Sequence, residues 1–486
     1  MKISKYFKWA DLQGFDLYRT RITQVVFQNF EIPLIYVFSI LISLSSWVGD
    51  FEGGDIAAAR KSYLSSSPID IWGGFSGFFY GNLPNLYYSW GFYLLILHMI
   101  CSTTGILLVR QYFLVKKIHF SRTLFLILSY LILNFNSFLT RDSTLLSFLL
   151  FGVGLGLKGI FESHRVFSIL LTAAGVTSII VACSFRPWIS IPVAFLVLAI
   201  LTNLEVKLSI FLKIILLITI ASTPLAFDTL AYVKSDLRNV HPELQVIAMD
   251  SGSFSCYSNN RETRLRGIEV LASINNQNLT IDQVCGNYQP NTWQSIAFWK
   301  LSERDAKGLG LVAANYENPQ GLVAIPTDLD PDTYSKVRSL WIKSILSDPK
   351  NYTQIKISQL VQISLAGDST GLRISKLADD SLIFKILKAI ILTPYDVIES
   401  LHLISPLSLL FIGMGYLLNK LRMATVGNVI RRFDLFLLFL FPITWSAATA
   451  IAFIGDNGRY IYPSTLLFAF LLIGFAHENR KTNESR

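Results

Sequence analysis

The chain has 486 residues, of which 52% are hydrophobic and only 15% charged, against about 25% charged in soluble domains. So little charge cannot cover the water-facing surface of a chain this long, and the apolar excess excludes disorder, a collagen and a small disulfide-stapled scaffold. The 42 Lys and Arg outweigh 33 Asp and Glu, for a net charge of +9, but the basic residues flank apolar runs, which points to inner-leaflet lipid rather than nucleic acid as their partner.

Residues 9–30 mix polar and aromatic side chains and read as an interfacial helix. Apolar runs follow at about 32–49, 89–109, 123–140, 143–157, 167–185, 189–203, 208–227, 402–418, 435–454 and 461–475. Runs near 20 residues cross a hydrocarbon core of about 30 Å as helices. The expected fold is therefore an all-α polytopic membrane protein with about ten transmembrane helices. The fourth, sixth and tenth runs are short and are expected to extend into their flanks or to tilt as hairpin pairs. The first begins late for a cleaved signal peptide and reads as a signal anchor.

Two longer segments interrupt the runs, 50–88 and about 228–400. The second has soluble composition and is expected to form a small mixed α/β or mainly α domain. This divides the chain into a membrane module over 1–227, a domain over 228–400 and C-terminal helices with a tail over 401–486. Within the domain, Pro326 to Asp332 reads as turns. Trp341, Ile342, Ile345 and Leu346, then Tyr352, Ile355, Ile357, Leu360 and Ile363, read as two helices broken at Asp348-Pro349. Residues 384–400 are expected to lie along the membrane surface.

Orientation follows from Lys and Arg in short loops. Lys2, Lys5, Lys8, Arg19 and Arg21, then Arg110, Lys116, Lys117 and Arg122, then Lys158 and Arg165, then Lys420, Arg422, Arg431 and Arg432, and finally Arg480, Lys481 and Arg486 all fall on one side of a ten-helix layout. That side is the cytoplasm, which leaves 50–88 and 228–400 outside. Cys101 and Cys183 lie in apolar runs as packing residues, whereas Cys256 and Cys285 share the outer domain, where an oxidising compartment allows them to pair.

Polar residues crowd the outer ends of the runs. Asp50, Glu52 and Asp55 follow the first. Arg141-Asp142 stands between the third and fourth, and Arg186-Pro187-Trp188 between the fifth and sixth. Asp456, Arg459 and Tyr460 lie between the ninth and tenth, ahead of Pro463. Each has an ordinary reading: solvated acids, a helix-boundary pair with Asp142 at a helix N-terminus, an arginine snorkelling to headgroups, or an Asp456–Arg459 structural pair. Ionisable groups at membrane depth cost roughly 2.5–3.5 kcal/mol on the insertion scale, so their gathering on one face is the informative feature. Arginine binds phosphate with a planar fork, and a carboxylate with an adjusted pKa accepts a proton from an attacking hydroxyl.

Other chemistry is missing from the sequence. It contains no G-x-x-x-x-G-K-[ST] loop and no H-E-x-x-H. His98 reads as a helix-packing histidine, and Gly152, Gly154 and Gly156 as small residues at a helix crossing. Trp72, Tyr80, Tyr87, Tyr88 and Trp90 suit an interface belt or a stacking surface for a sugar.

The acidic stretch after the first run, the Arg141-Asp142 turn opening the fourth, the late outer domain and the run Arg459-Tyr-Ile-Tyr-Pro463 together resemble the C-type glycosyltransferase superfamily, which includes protein O-mannosyltransferases and lipid A aminoarabinose transferases. Length and layout are also similar to the phage-encoded O-antigen glucosyltransferases of serotype conversion. The resemblance implies an enzyme of the bacterial inner membrane with its active site on the periplasmic side. It would move a hexose such as glucose from a polyprenyl phosphate carrier to a glycan acceptor such as lipid-linked O-antigen, with inversion. The same resemblance implies a loop-one base drawn from Asp55, Asp50 or Glu52 and phosphate contacts from Arg459, Arg141 and Arg186. Asp142, Asp456 and Tyr460 would stand nearby. No organic cofactor is expected, and some members use a divalent cation. Among the acids Asp55 is preferred, because Gly53-Gly54 frees the backbone before it and Ala57-Ala58-Ala59-Arg60 continues as a helix. The competing readings are an O-antigen polymerase or ligase and a lipid-sugar flippase or transporter; for the last, Asn134 and Asn136 are the midplane polar candidates.

Overall fold

The computed structural model describes residues 30–45, 54–65, 68–70, 73–85, 89–116, 121–203, 209–235, 237–288, 297–302, 305, 322–365, 386, 411, 415, 433–452 and 460–475. The membrane module is helical. Helices α1 (Glu31–Ser45), α2 (Gly54–Leu64), α3 (Gly74–Gly81), α4 (Trp90–Val115), α5 (Arg122–Ser137), α6 (Arg141–Phe161), α7 (Arg165–Ser184), α8 (Ser190–Asn203) and α9 (Ile210–Ser235) follow in order. Segments Trp90–Val115, Arg141–Phe161, Arg165–Ser184 and Phe211–Lys234 are long and apolar enough to cross a membrane, and Glu31–Leu44, Pro187–Leu201, Leu435–Ile451 and Tyr462–Ile473 are apolar but shorter. Exposed apolar side chains such as Phe167, Leu170, Ile191, Phe211 and Ile218 line their outer faces, as expected of a membrane-embedded protein. The expected run 402–418 lies almost wholly outside the described residues, as do 384–400 and the interfacial stretch 9–29.

Glycines set the closest helix crossings. A Cβ on Gly105 of α4 would meet the Leu150 backbone of α6 at 2.8 Å, and one on Gly152 of α6 would meet the Gly175 carbonyl of α7 at 2.7 Å. Gly154 faces Gly105 in the first crossing, and Gly156 lets Gly175 approach in the second, so the small residues of α6 serve both neighbours.

Between α1 and α4 the chain makes a hairpin of α2 and α3. Arg60 Nη1 donates to the carbonyls of Tyr80, Gly81 and Leu83, satisfying carbonyls that a helix end leaves open. The Arg60 guanidinium also lies 5.2 Å over the Trp90 ring.

Helix α9 runs through the expected boundary at 227/228 to Ser235, because the apolar pattern continues past Asp228 to Val233. The following domain contains α10 (Leu244–Tyr257), α11 (Arg261–Asn275), α12 (Ile281–Asn287), β1 (Ala297–Lys300), β2 (Val323–Pro326), α13 (Pro331–Ser347) and α14 (Pro349–Leu365). The two strands pair in parallel, Ala297 opposite Val323. Ile247, Val270, Leu271, Val323, Ile325 and Val337 form a core separate from that of the membrane helices. The break at Asp348-Pro349 is as expected: Asp348 leaves helical geometry at φ −141°, its Oδ1 accepts from Asn351 N at 3.2 Å, and Pro349 opens the next helix. Cys256 and Cys285 are joined by a disulfide, whereas Cys101 and Cys183 are buried thiols. Two C-terminal helices, α15 (Phe433–Ala452) and α16 (Tyr462–Phe475), return to the membrane bundle, α15 beside α8 and α16 beside α5 and α6.

Candidate functional site

The site is built first on the N-terminus of α6. Thr140 caps it: its hydroxyl accepts from Ser143 N at 3.1 Å, and Ser143 Oγ accepts from Thr140 N at 3.0 Å. Arg141 and Asp142 therefore emerge at a fixed first turn, 8% and 1% exposed, where the helix dipole favours the carboxylate.

Arg186 reaches Asp142 from the turn between α7 and the single 3-10 turn Pro187–Ile189. Its Nε donates to Asp142 Oδ1 at 2.6 Å and its Nη2 to Oδ2 at 2.9 Å, a bidentate fork with both side chains 2% exposed. The guanidinium stacks 4.7 Å over Tyr460 and 5.3 Å over Trp188. Tyr460 is held in turn by Trp445 of α15, whose Nε1 donates to its carbonyl at 2.8 Å.

A buried polar chain leads away from this pair. Tyr80 OH lies 3.0 Å from Thr144 Oγ1, His98 Nε2 lies 2.8 Å from the same hydroxyl, and His98 Nδ1 lies 3.0 Å from the Asn136 carbonyl. The carbonyl requires Nδ1 to donate, so Nε2 accepts from Thr144, whose oxygen accepts from Tyr80. Asn136 Nδ2 donates to Ser102 Oγ at 2.7 Å. His98 is thus a satisfied packing histidine that fixes Tyr80. Asn134 and Asn136, expected at the midplane for a transporter, belong instead to the last turn of α5.

The acid that loop one brings to this end is Asp70. Ile69 is clipped to α2, with Ser62 Oγ donating to its carbonyl at 2.8 Å and accepting from its N–H at 2.9 Å. Asp70 N donates to the Arg238 carbonyl at 3.1 Å, and Arg238 N to the Pro68 carbonyl at 3.0 Å. Arg238 is itself tied to Asp305. The Asp70 carboxyl is 4% exposed, and among the described residues nothing donates a hydrogen bond to its Oδ1. Burial pushes its pKa up to about 8, with the nearby Asp228 charge adding to the rise; the Gly73 N–H and Arg141 oppose it, and Glu243 adds slightly. Asp228 in turn caps α3, its Oδ1 accepting from Phe75 N at 3.0 Å.

Of the residues expected from sequence, Arg141, Asp142, Arg186 and Tyr460 come together at one end of the bundle. Asp50, Glu52, Asp456 and Arg459 lie outside the described residues, and for Asp55 only the backbone is described, in the first turn of α2. Asp70, Asp228 and Thr144 were not singled out. The signal for Asp70 was present: Pro68-Ile69-Asp70-Ile71-Trp72 sets one acid among apolar neighbours, a pattern of burial rather than of a solvated loop. Among the described residues no group of three His, Cys, Asp or Glu side chains gathers to hold a metal. No protein-family model, no curated protein and no solved structure matches the chain.

Proposed function

We propose that this protein is a membrane-embedded inverting glycosyltransferase that moves a hexose, such as glucose, from a polyprenyl phosphate to an extracytoplasmic glycan acceptor such as lipid-linked O-antigen. The observation that carries the reading is Asp70: a buried carboxyl with one oxygen unbonded among the described residues and its pKa raised to about 8, in the field of Arg141, at the same end of the apolar helices as the Asp142–Arg186 pair. A base is most effective when its pKa lies near the working pH. In this reading the acceptor hydroxyl attacks the anomeric carbon as Asp70 takes its proton. The bond from that carbon to the phosphate oxygen breaks on the opposite face, and the polyprenyl phosphate leaves. Arg141 offsets the charge that builds on the departing phosphate. The fork of Arg186 is already engaged by Asp142, so its role is to hold the α6 terminus and Tyr460 in place. The lipid-borne donor accounts for the missing nucleotide-binding loop.

The Cys256–Cys285 disulfide supports putting residues 237–365 on the extracytoplasmic side of a bacterial inner membrane, because such bonds persist in oxidising compartments. The Lys and Arg distribution supports the same orientation and a layout of about ten spans. Asp70 takes the role of base ahead of Asp55, Asp50 and Glu52. The test is transfer of radiolabelled hexose from polyprenyl phosphate in membranes containing the protein. Asp70→Asn abolishes transfer while Asp55→Asn retains it. Full transfer by Asp70→Asn, or no consumption of polyprenyl phosphate hexose by the unaltered protein, refutes the proposal.

A further inference from the structure

Helix α14 runs back along α10 toward the membrane end of the outer domain. Helix α10 starts just beyond α9, next to the point where Arg238 is clipped to loop one: the Arg238 carbonyl accepts from Asp70 N at 3.1 Å, and Arg238 N donates to the Pro68 carbonyl at 3.0 Å. Three contacts set α14 antiparallel to α10. Ser258 Oγ donates to Asp348 Oδ2 at 2.5 Å, Phe254 stacks on Tyr352 with centroids 6.2 Å apart, and Lys356 Nζ lies 2.8 Å from Asp250 Oδ1. Each step moves one helical turn back along α10 and one forward along α14, so the next turn of α14 comes level with the first turn of α10. Independently of this ladder, α14 packs against α15, an apolar helix of the membrane bundle.

The returning half of α14 is inverted for a helix in water. Such a helix turns charged and polar side chains outward and apolar ones inward. Here Lys356 and Gln359 are buried, the first against Asp250 of α10, while Ile357 and Val361, neighbours on one helix face, are 54% and 46% exposed. The first half of the same helix exposes Lys350, Thr353 and Gln354 and buries Ile355. An exposed apolar side chain alone needs no partner: Leu346 of α13, at the far end of the ladder near Asp348, is 75% exposed. Ile357 and Val361 differ by their place. They lie on the part of α14 that has come back level with the start of α10, on a helix that packs against α15, which itself exposes Ile443 and Ile451.

We infer that the second half of α14 dips into the membrane leaflet at this end of the bundle and lays Ile357 and Val361 against lipid acyl chains. Hydrocarbon solvates these side chains and repels the Lys356 charge, which therefore turns inward to Asp250. The outward face from Ile357 to Val361 carries no ionised group, so it suits acyl chains rather than headgroup phosphates or an acidic partner. Lipid contact here makes α14 a second tether of the outer domain, beside the 235–244 connection. The domain is then fixed over the end of the bundle that holds Asp70 and cannot swing on one hinge. This contact does not depend on the transferase reading.

The test uses the full chain in vesicles of phosphatidylethanolamine and phosphatidylglycerol, with a nitroxide attached at Ile357→Cys, Val361→Cys, Lys350→Cys or Leu346→Cys. The native Cys101 and Cys183 are buried and the other two cysteines are paired, so the unaltered chain sets the labelling background. Power-saturation spectra are compared with oxygen, which partitions into hydrocarbon, and with a neutral nickel chelate, which stays in water. Labels at 357 and 361 are expected to relax more with oxygen than with nickel, and those at 350 and 346 the reverse. Either of the first two positions carries the test if the other variant fails to fold. Lipid contact is refuted if nickel reaches 357 and 361 as it reaches 350 and 346, which means water. It is equally refuted if neither reagent reaches them, which means that protein, such as a second copy of the chain, covers the face.

Discussion

The Asp142–Arg186 fork separates a scaffold role from a chemical one. Both side chains are 2% exposed and share two charge-assisted hydrogen bonds of 2.6 and 2.9 Å. Asp142→Asn leaves the Arg186 guanidinium buried without its counter-charge, and breaking a buried pair from one side costs about 3–5 kcal/mol. Replacing both partners with apolar side chains of similar volume removes the desolvation cost together with the attraction and is neutral or stabilising by about 1–4 kcal/mol. The expected order of thermal stability in detergent is therefore Asp142→Asn lowest, with Asp142→Leu/Arg186→Met close to or above the unaltered protein. If the fork serves only to hold the α6 terminus, the double variant also regains hexose transfer; if Arg186 meets the phosphate, the double variant folds and stays inactive. An Asp142→Asn protein that melts with the unaltered one would refute the reasoning, because the guanidinium would then have an alternative partner.

Asp70 has a folded-state pKa raised to about 8 above an unfolded value near 3.9. The folded chain therefore binds the extra proton, and stability falls as pH rises from about 4 through 8; in melting curves across this window Asp70→Asn flattens that slope, while transfer by the unaltered protein rises toward pH 8 as the base ionises. Gly105→Ala drives a methyl to 2.8 Å from the Leu150 backbone and lowers thermal stability by about 1–3 kcal/mol through overpacking. Cys256→Ser/Cys285→Ser opens a disulfide spanning 29 residues and costs about 3–4 kcal/mol by the loop-entropy estimate. In intact cells the unaltered pair resists a membrane-impermeant maleimide until reduced. Glu31→Gln weakens a buried carboxylate's pairing to Arg110 and Arg122, at 3.2 and 3.1 Å, and lowers the melting temperature without changing the Michaelis constant for the hexose donor.

The helices were legible because membrane burial writes long apolar runs. Arg165–Ser184 and Phe433–Ala452 match their runs closely at both ends, Trp90–Val115 overruns the C-terminal end of its run, and the fourth run grows to Arg141–Phe161 by extension into its flanks. The convergence of Arg141, Asp142, Arg186 and Tyr460 was legible from their place at helix ends. Their pairing was not. Asp142 and Arg141 are neighbours in sequence, but adjacent helical residues project about 100° apart and do not face each other, so Asp142 meets Arg186 from another helix end instead. For Asp70 the local sequence signals burial but not the partner: its backbone pairs with Arg238, a contact that no local pattern encodes.

The two ends of the bundle handle buried acids in different ways, and the difference is what favours Asp70 in the proposed function. At one end Glu31 is fully buried with an arginine against each oxygen, Arg110 at 3.2 Å from Oε2 and Arg122 at 3.1 Å from Oε1, so its charge is countered twice over. At the other end Asp142 and Arg186 neutralise each other, whereas Asp70 makes no ion pair among the described residues and lies in the field of Asp228, Arg141 and Glu243. A fold selected only for stability has no use for that acid, because an apolar residue clipped at 68–70 would spare its desolvation. Perturbed carboxyls of this kind concentrate where protons are moved. That end is also where Asp70 is clipped to Arg238 at the foot of the 237–365 domain and where Arg141 of the α6 terminus bears on it, which is why the proposed transfer is tested there first.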